Sequence, residues 1–218
     1  MTTPQHNLAV IKVVGIGGGG TNAIKRMIGE GMTGVDFIAL NTDEQDLLDC
    51  DAPTKLDIGQ STTRGLGAGA DPAVGERAAR DNSQDIEDVL TGADMVFVTA
   101  GEGGGTGTGG APIVAGIARG LGALTVAVVT KPFSFEGKRR ADNAEHGIEK
   151  LRDACDTLIT IPNDRLLQQE DKTISINEAF SKADEVLFNG VQGITDLIST
   201  PGLINVDFAD VKSVLADS

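Results

Sequence analysis

The sequence predicts a doubly wound α/β domain, a mostly parallel sheet with helices on both faces. Three observations carry that reading. Five short apolar runs recur along the 218 residues. Amphipathic stretches of helical length lie between them. Glycines gather where an apolar run gives way to a helix, as they do when a strand end must turn tightly.

The runs at 8–14, 35–41, 95–100, 124–130 and 158–162 are nearly unbroken in apolar residues, which suits strands buried on both faces. A first helix is expected from about 21 to 31, ended by glycine. Asp71-Pro72 opens the next, with a capping carboxylate and then proline at the first helical position, and its amphipathic pattern runs to Leu90. Further helices fit 111–121, 136–154 and a long stretch from about 175 to 199. The division is an arm at 1–7, one domain over 8–204, and a segment at 205–218 that reads as a loop and the start of a helix. A sheet of this kind takes its ligands at the carboxyl ends of the strands.

Composition narrows the function. A formal net charge of -14 repels phosphate backbones and anionic headgroups, so neither nucleic acid nor direct membrane insertion is expected. Trp and Tyr are absent, which removes the usual stacking platform for single strands. Cys50 and Cys155 have no metal-ligand spacing and read as buried small residues of a cytoplasmic protein. Glycine stands out, at 29 residues.

The stretch "GIGGGG" at 15–20 follows an apolar run and has Asp43 downstream, which meets the dinucleotide fingerprint. A second stretch, "GEGGGTGTGG" at 101–110, stands in the same relation to a strand and a helix. One glycine loop suffices for a pyrophosphate. Two, the second with hydroxyls at Thr106 and Thr108, suit a longer polyphosphate gripped by backbone N–H groups and helix ends. Neither has the Lys-Ser/Thr ending of a P-loop, so phosphate charge would also call on magnesium held by phosphates and water, with no direct protein ligand. A third glycine-rich stretch, "RGLGAGADP" at 64–72, also runs into a helix.

The motifs "GIGGGGTNA", "NTD", "GLGAGADP", "GGGTGTGG", "KPFSFEGKRR", "IPND", "FSKADEVL" and "NVDFADVK" occur in this order. Together they resemble the tubulin-like GTPases, and within them the bacterial cell-division branch. The resemblance implies a Rossmann-like GTPase domain that binds GTP or GDP with Mg2+. It implies that Gly17, Gly18, Gly19 and Asn22 line the nucleotide cleft and that Ala68, Gly69, Ala70 and Asp71 close over the terminal phosphate. Gly104, Gly105, Thr106, Gly107, Thr108 and Gly109 would cradle the phosphates, and Glu136 and Arg140 would meet the ribose. Asn163 and Asp184 would read guanine, with Phe180 against the base. Periodicity alone puts Phe180 in the core, because Phe180, Ala183, Leu187, Val191 and Ile194 follow helical spacing.

Asp207 and Asp210 read locally as helix-start residues. The resemblance makes them catalytic in trans, completing the GTP site of the next subunit in a filament. It also implies self-association, a mid-cell division ring, and division-ring partners recruited through segments beyond Ser218. A chain that stops there, without a second domain, is expected to bind GTP but to hydrolyse it and polymerise poorly. Two other readings stand beside this one: an NAD-dependent oxidoreductase, favoured by Gly15, Gly17, Gly20 and Asp43 alone, and a non-enzymatic nucleotide-binding assembly module.

Overall fold

A computed structural model describes residues 9–168, 173–199 and 208–216. Its centre is a six-stranded, all-parallel sheet in the order β3-β2-β1-β4-β5-β6. The chain runs β1 (Ile11–Ile16), α1 (Gly17–Gly29), β2 (Asp36–Asn41), α2 (Glu44–Leu48) and β3 (Thr54–Asp57). It then crosses the sheet through α3 (Pro72–Asp81) and α4 (Ser83–Leu90). On the other side follow β4 (Met95–Gly101), α5 (Thr106–Gly120), β5 (Leu124–Lys131), a 3-10 turn (Ser134–Glu136), α6 (Lys138–Ala154) and β6 (Thr157–Pro162). The helices α7 (Asp164–Gln168), α8 (Ile176–Ser199) and α9 (Phe208–Leu215) complete the described chain.

Strand alternation divides the core into two layers. Val14, Ile16, Ile38, Leu40, Val96 and Val98 face α3 to α6 and pack with Ala78, Ile86, Val114 and Leu151. Ile11, Val13, Phe37, Met95, Phe97 and Val126 face the opposite way and pack with Ile24, Met27, Leu187 and Val191 of α1 and α8. Cys50 and Cys155 are both buried and free, as their spacing suggested. Burial on both faces is why the strands read as unbroken apolar runs.

Several boundaries differ from the sequence pattern. The first strand is displaced toward Ile16, because Gly15 and Ile16 still pair with Ala39 and Leu40 of β2. The first helix starts at Gly17 rather than Thr21, and α5 starts at Thr106 rather than Ala111. Glycines carry no apolar signal, so the opening turns of both helices are silent in the pattern. The stretch 72–90 forms two helices parted at Asn82, whose Nδ2 donates to Ile58 O at 3.1 Å and to Ala78 O at 2.8 Å. A side chain that bonds its own helix backbone and an outside carbonyl offers the chain an alternative to continuing the helix. The stretch 136–154 begins with the 3-10 turn before α6 takes over. β3, α2 and α7, each five residues or fewer, are too short to generate a period. The arm at 1–7 lies outside the described residues, as do 205–207 and 217–218.

Candidate functional site

The strand order reverses between β1 and β4, which neighbour each other in the sheet although β2 and β3 come between them in the chain. That switch point opens a crevice at the carboxyl ends of the strands. Both flanking loops run straight into helices. Ile16 precedes α1 and Gly105 precedes α5, and neither supplies a side-chain cap. The first-turn N–H groups of two helices therefore meet over one crevice without side-chain acceptors, and no acidic residue stands in either first turn.

The loops touch backbone to backbone. A Cβ on Gly17 would stand 2.9 Å from Gly107 N, and Gly17 has φ +76°. A Cβ on Gly109 would collide with Pro72 O and stand 2.7 Å from Glu76 N, so α3 lies directly on α5. The density of glycine in the second loop is thus partly a packing requirement. Gly18 and Gly104 do have room: their nearest neighbours are Asp46 Oδ2 at 3.6 Å and Arg140 Nη1 at 3.8 Å. Thr42 Oγ1 and Thr106 Oγ1 share a hydrogen bond of 2.6 Å that seats the start of α5 on the end of β2.

The crevice holds a cavity of about 340 Å³. Its lining brings together Gly17, Gly18, Gly19 and Asn22 of α1, Ala68 and Ala70, and Gly104, Gly105, Thr106 and Gly107. Glu136, Arg140, Asn163, Phe180 and Asp184 line it as well. Gly69, Asp71, Thr108 and Gly109 are not in that lining. Asp71 caps α3, accepting from Ala73 N–H at 3.0 Å, and the Thr108 hydroxyl accepts from Gly103 N–H at 2.8 Å. Asp210 is exposed in the first turn of α9, away from this lining, and Asp207 lies outside the described residues. Lining residues missed in the sequence are Gly101, Glu102, Thr130, Pro132, Ala183 and Leu187. The strand-end rule applied to β5 would have found Thr130 and Pro132.

Phe180, in the cleft lining, packs against two aromatic rings from the segment after β5. The rings of Phe133 and Phe135 stack with centroids 4.9 Å apart, and Phe180 meets them edge-on at 5.4 and 6.0 Å. Helical spacing puts Phe180 in the core, but it is 39% exposed, while Ala179, Ala183, Leu187 and Val191 are buried. Asn163 is 4% exposed, and its Oδ1 has no hydrogen-bond partner. A buried orphan acceptor in a cleft wall is a site for a ligand or a water. Burial raises the Asp184 carboxyl to about 6, with Arg26 and Lys25 pulling the other way. Glu136 accepts from Phe133 N–H at 2.7 Å and stands 3.9 Å from Arg140. Lys138 and Arg139 face solvent.

Asp43, the acid that completed the dinucleotide fingerprint, instead caps α2 by accepting from Gln45 N–H at 2.9 Å and Asp46 N–H at 3.3 Å. The ribose-binding group of a dinucleotide site is therefore already engaged elsewhere. Among the described residues no three His, Cys, Asp or Glu side chains gather to hold a metal ion, and no helix is long and apolar enough to cross a membrane.

The family model described as "Tubulin/FtsZ family, GTPase domain" matches residues 10–171. An FtsZ dimer from M. jannaschii is similar at 50% identity with a TM-score of 0.94, over 98% of this chain and 62% of that one. A point mutant of M. jannaschii FtsZ is similar at 51% identity and a TM-score of 0.93, over 97% and 63% of the two chains. A GTPγS-bound protofilament of CetZ2 from Haloferax volcanii shares the fold at 23% identity and a TM-score of 0.81, over 95% and 63%. The chain thus spans under two thirds of the length of these matched structures.

Proposed function

This chain belongs to the tubulin/FtsZ family, as its GTPase domain, and from that premise we propose that its cleft binds GTP and GDP and is the hydrolytic site of a filament-forming cell-division protein. The observation that carries the proposal is the meeting of two helix N-termini, both without side-chain caps, over one cleft. Such a pair suits a polyphosphate, because backbone donors and helix dipoles act together on the same negative charge. The phosphates lie across Gly18, Gly104 and their neighbours, the ribose between Glu136 and Arg140, and the base beside Phe180.

Guanine is the base that fits beside Phe180. The Asp184 carboxylate accepts from its N1–H and exocyclic amine, whereas adenine has no donor at N1. Asn163, with its orphan Oδ1, supplies a second polar contact. A magnesium ion would enter with the nucleotide, held by phosphate oxygens and water, and would neutralise charge on the phosphates. Titration of nucleotide-free protein is expected to give GTP and GDP at least about a hundredfold preference over ATP, since a site built around specific hydrogen bonds rejects the analogue that lacks them. Equal affinity for GTP and ATP would sink the guanine assignment.

Hydrolysis takes place between copies. Water attacks the γ-phosphorus, the bond to the β–γ bridging oxygen breaks, and the leaving proton passes to a carboxylate of the adjoining copy. Asp207 and Asp210 are assigned that work. The placement of Asp210 away from its own cleft and the dimeric state of the M. jannaschii FtsZ match support this reading. In the longer protein that carries this domain, Asp210→Ala is expected to bind GTP normally and turn over poorly. Mixing it with an Asp184→Ala copy that lacks its own nucleotide should restore turnover. Full activity of Asp210→Ala alone would remove the residue from the mechanism. The division ring, with its further partners, belongs to this proposal as the setting of such filaments.

A further inference from the structure

Glu102 is the one acid inside the second glycine loop. Its N–H donates to Thr130 O at 2.9 Å, fixing the backbone at the edge of the cleft. Its side chain turns away from solvent, at 4% exposure, and the hydrogen-bonding group beside its carboxyl is the Thr108 hydroxyl, which makes no well-formed bond to either oxygen. It fills the seam between α5 and α6: a Cβ on Gly147 would stand 2.7 Å from Glu102 Oε2 and would collide with the Thr108 methyl. One turn earlier on α6, Asn143 Nδ2 donates to Ala70 O at 3.3 Å and to Gly103 O at 3.4 Å, joining two of the loops around the cleft. The seam that holds Glu102 is therefore the seam that holds those loops together.

Among the described residues no cation pairs with the carboxyl. On α6, Arg140 turns to Glu136 at 3.9 Å and Lys150 to Glu76 at 3.8 Å, while Asp142, Glu145, His146 and Glu149 are exposed. On α3, Arg80 pairs with Glu76 at 2.9 Å. On β5, Lys131 reaches Glu145 at 3.5 Å, and the first turns of α5 carry no ionisable side chain. A carboxylate buried without partners is far costlier than the neutral acid. We propose, on the reading of the cleft as a nucleotide site, that Glu102 is a positioning residue: as a neutral acid it seats α6 against the phosphate loop, and its ionisation opens that seam and weakens nucleotide binding. Burial pushes the carboxyl up to about 8, with the Thr108 hydroxyl opposing, so the neutral form prevails at pH 7. A bound polyphosphate adds negative charge nearby and favours the neutral form further.

The test compares the wild-type chain with Glu102→Gln and Glu102→Met, the second keeping the seam filled if an amide disturbs folding. GDP titrations from pH 6.5 to 9 are expected to show wild-type affinity falling close to tenfold between pH 7.5 and 9, with both variants losing less than twofold. Ionisation of guanine itself is common to all three and cancels in the comparison. Thermal unfolding without nucleotide supplies an independent readout. The folded-state value lies above the unfolded one of 4.5, so the stabilisation from the neutral acid is present below 4.5 and is lost as pH rises toward 8. Wild type should lose stability relative to both variants across that window. Parallel pH profiles in all three proteins overturn the role of Glu102, whereas absence of GDP binding by wild type at pH 6.5 overturns the nucleotide reading itself.

Discussion

Replacing Asp184 by asparagine is expected to lower GTP affinity roughly 10- to 150-fold, the equivalent of one lost charge-assisted hydrogen bond of about 1.5–3 kcal/mol. The loss should fall on guanine nucleotides, leaving the weak binding of ATP unchanged or improved, because an amide can donate where the carboxylate could only accept. The wild-type pH profile follows from the same group. Burial sets the Asp184 carboxyl at about 6, above its ordinary 3.8, and the proposed contact to guanine needs the ionised form. Affinity should therefore rise as pH increases through 6 and reach a plateau, falling about tenfold per unit below it. Linkage to folding has the opposite sign: the nucleotide-free protein holds this proton more tightly than the unfolded chain. The neutral acid thus stabilises it fully below 3.8, and that contribution is lost as pH rises toward 6. Together with Glu102 on the alkaline side, a bell-shaped binding profile with its plateau between about 6 and 8 is expected. An acid limb that persists in Asp184→Asn would show that some other group is responsible.

Alanine at Gly109 and alanine at Gly104 are expected to fail in opposite ways. At Gly109 the added carbon collides with Pro72 O and crowds Glu76 N, so α3 must move off α5. Overpacking of this kind costs about 1–3 kcal/mol, or roughly 3–10 °C in unfolding midpoint for a domain of this size. At Gly104 the nearest atom is Arg140 Nη1 at 3.8 Å, an ordinary contact, so the fold should keep its midpoint. There the methyl group occupies the cleft wall, and nucleotide affinity should drop tenfold or more. Calorimetric unfolding paired with GDP titration measures both. A stable Gly109→Ala would mean that α3 is less closely seated than its contacts indicate.

That contrast marks how far the residues could be read without a fold. The glycine loops, their place after strands and before helices, and the two-faced burial of the sheet were legible, because each depends on neighbours in the chain. Which glycine faces the cleft and which meets another helix was not legible. Gly104 and Gly109 sit five residues apart in one motif, yet one faces the cleft and the other faces Pro72 across the α3–α5 contact. Phe180 belongs to the same class. Its helical spacing fits a core position, yet it lines the cleft at 39% exposure, with Phe133 and Phe135 from the segment after β5 edge-on against it.

Strand periods, helix caps such as Asp71-Pro72, the strongly negative net charge and the family motifs are local or additive properties, and the sequence by itself determined them. The tertiary structure decided the rest. It committed Asp43 to capping α2 rather than to a ribose, parted one expected helix at Asn82, and set Glu102 in a seam with no cation to pair its carboxyl among the described residues. Each of these outcomes depends on atoms far apart in the chain, and on the strong preference of buried polar groups for a partner that only the assembled fold can supply or withhold.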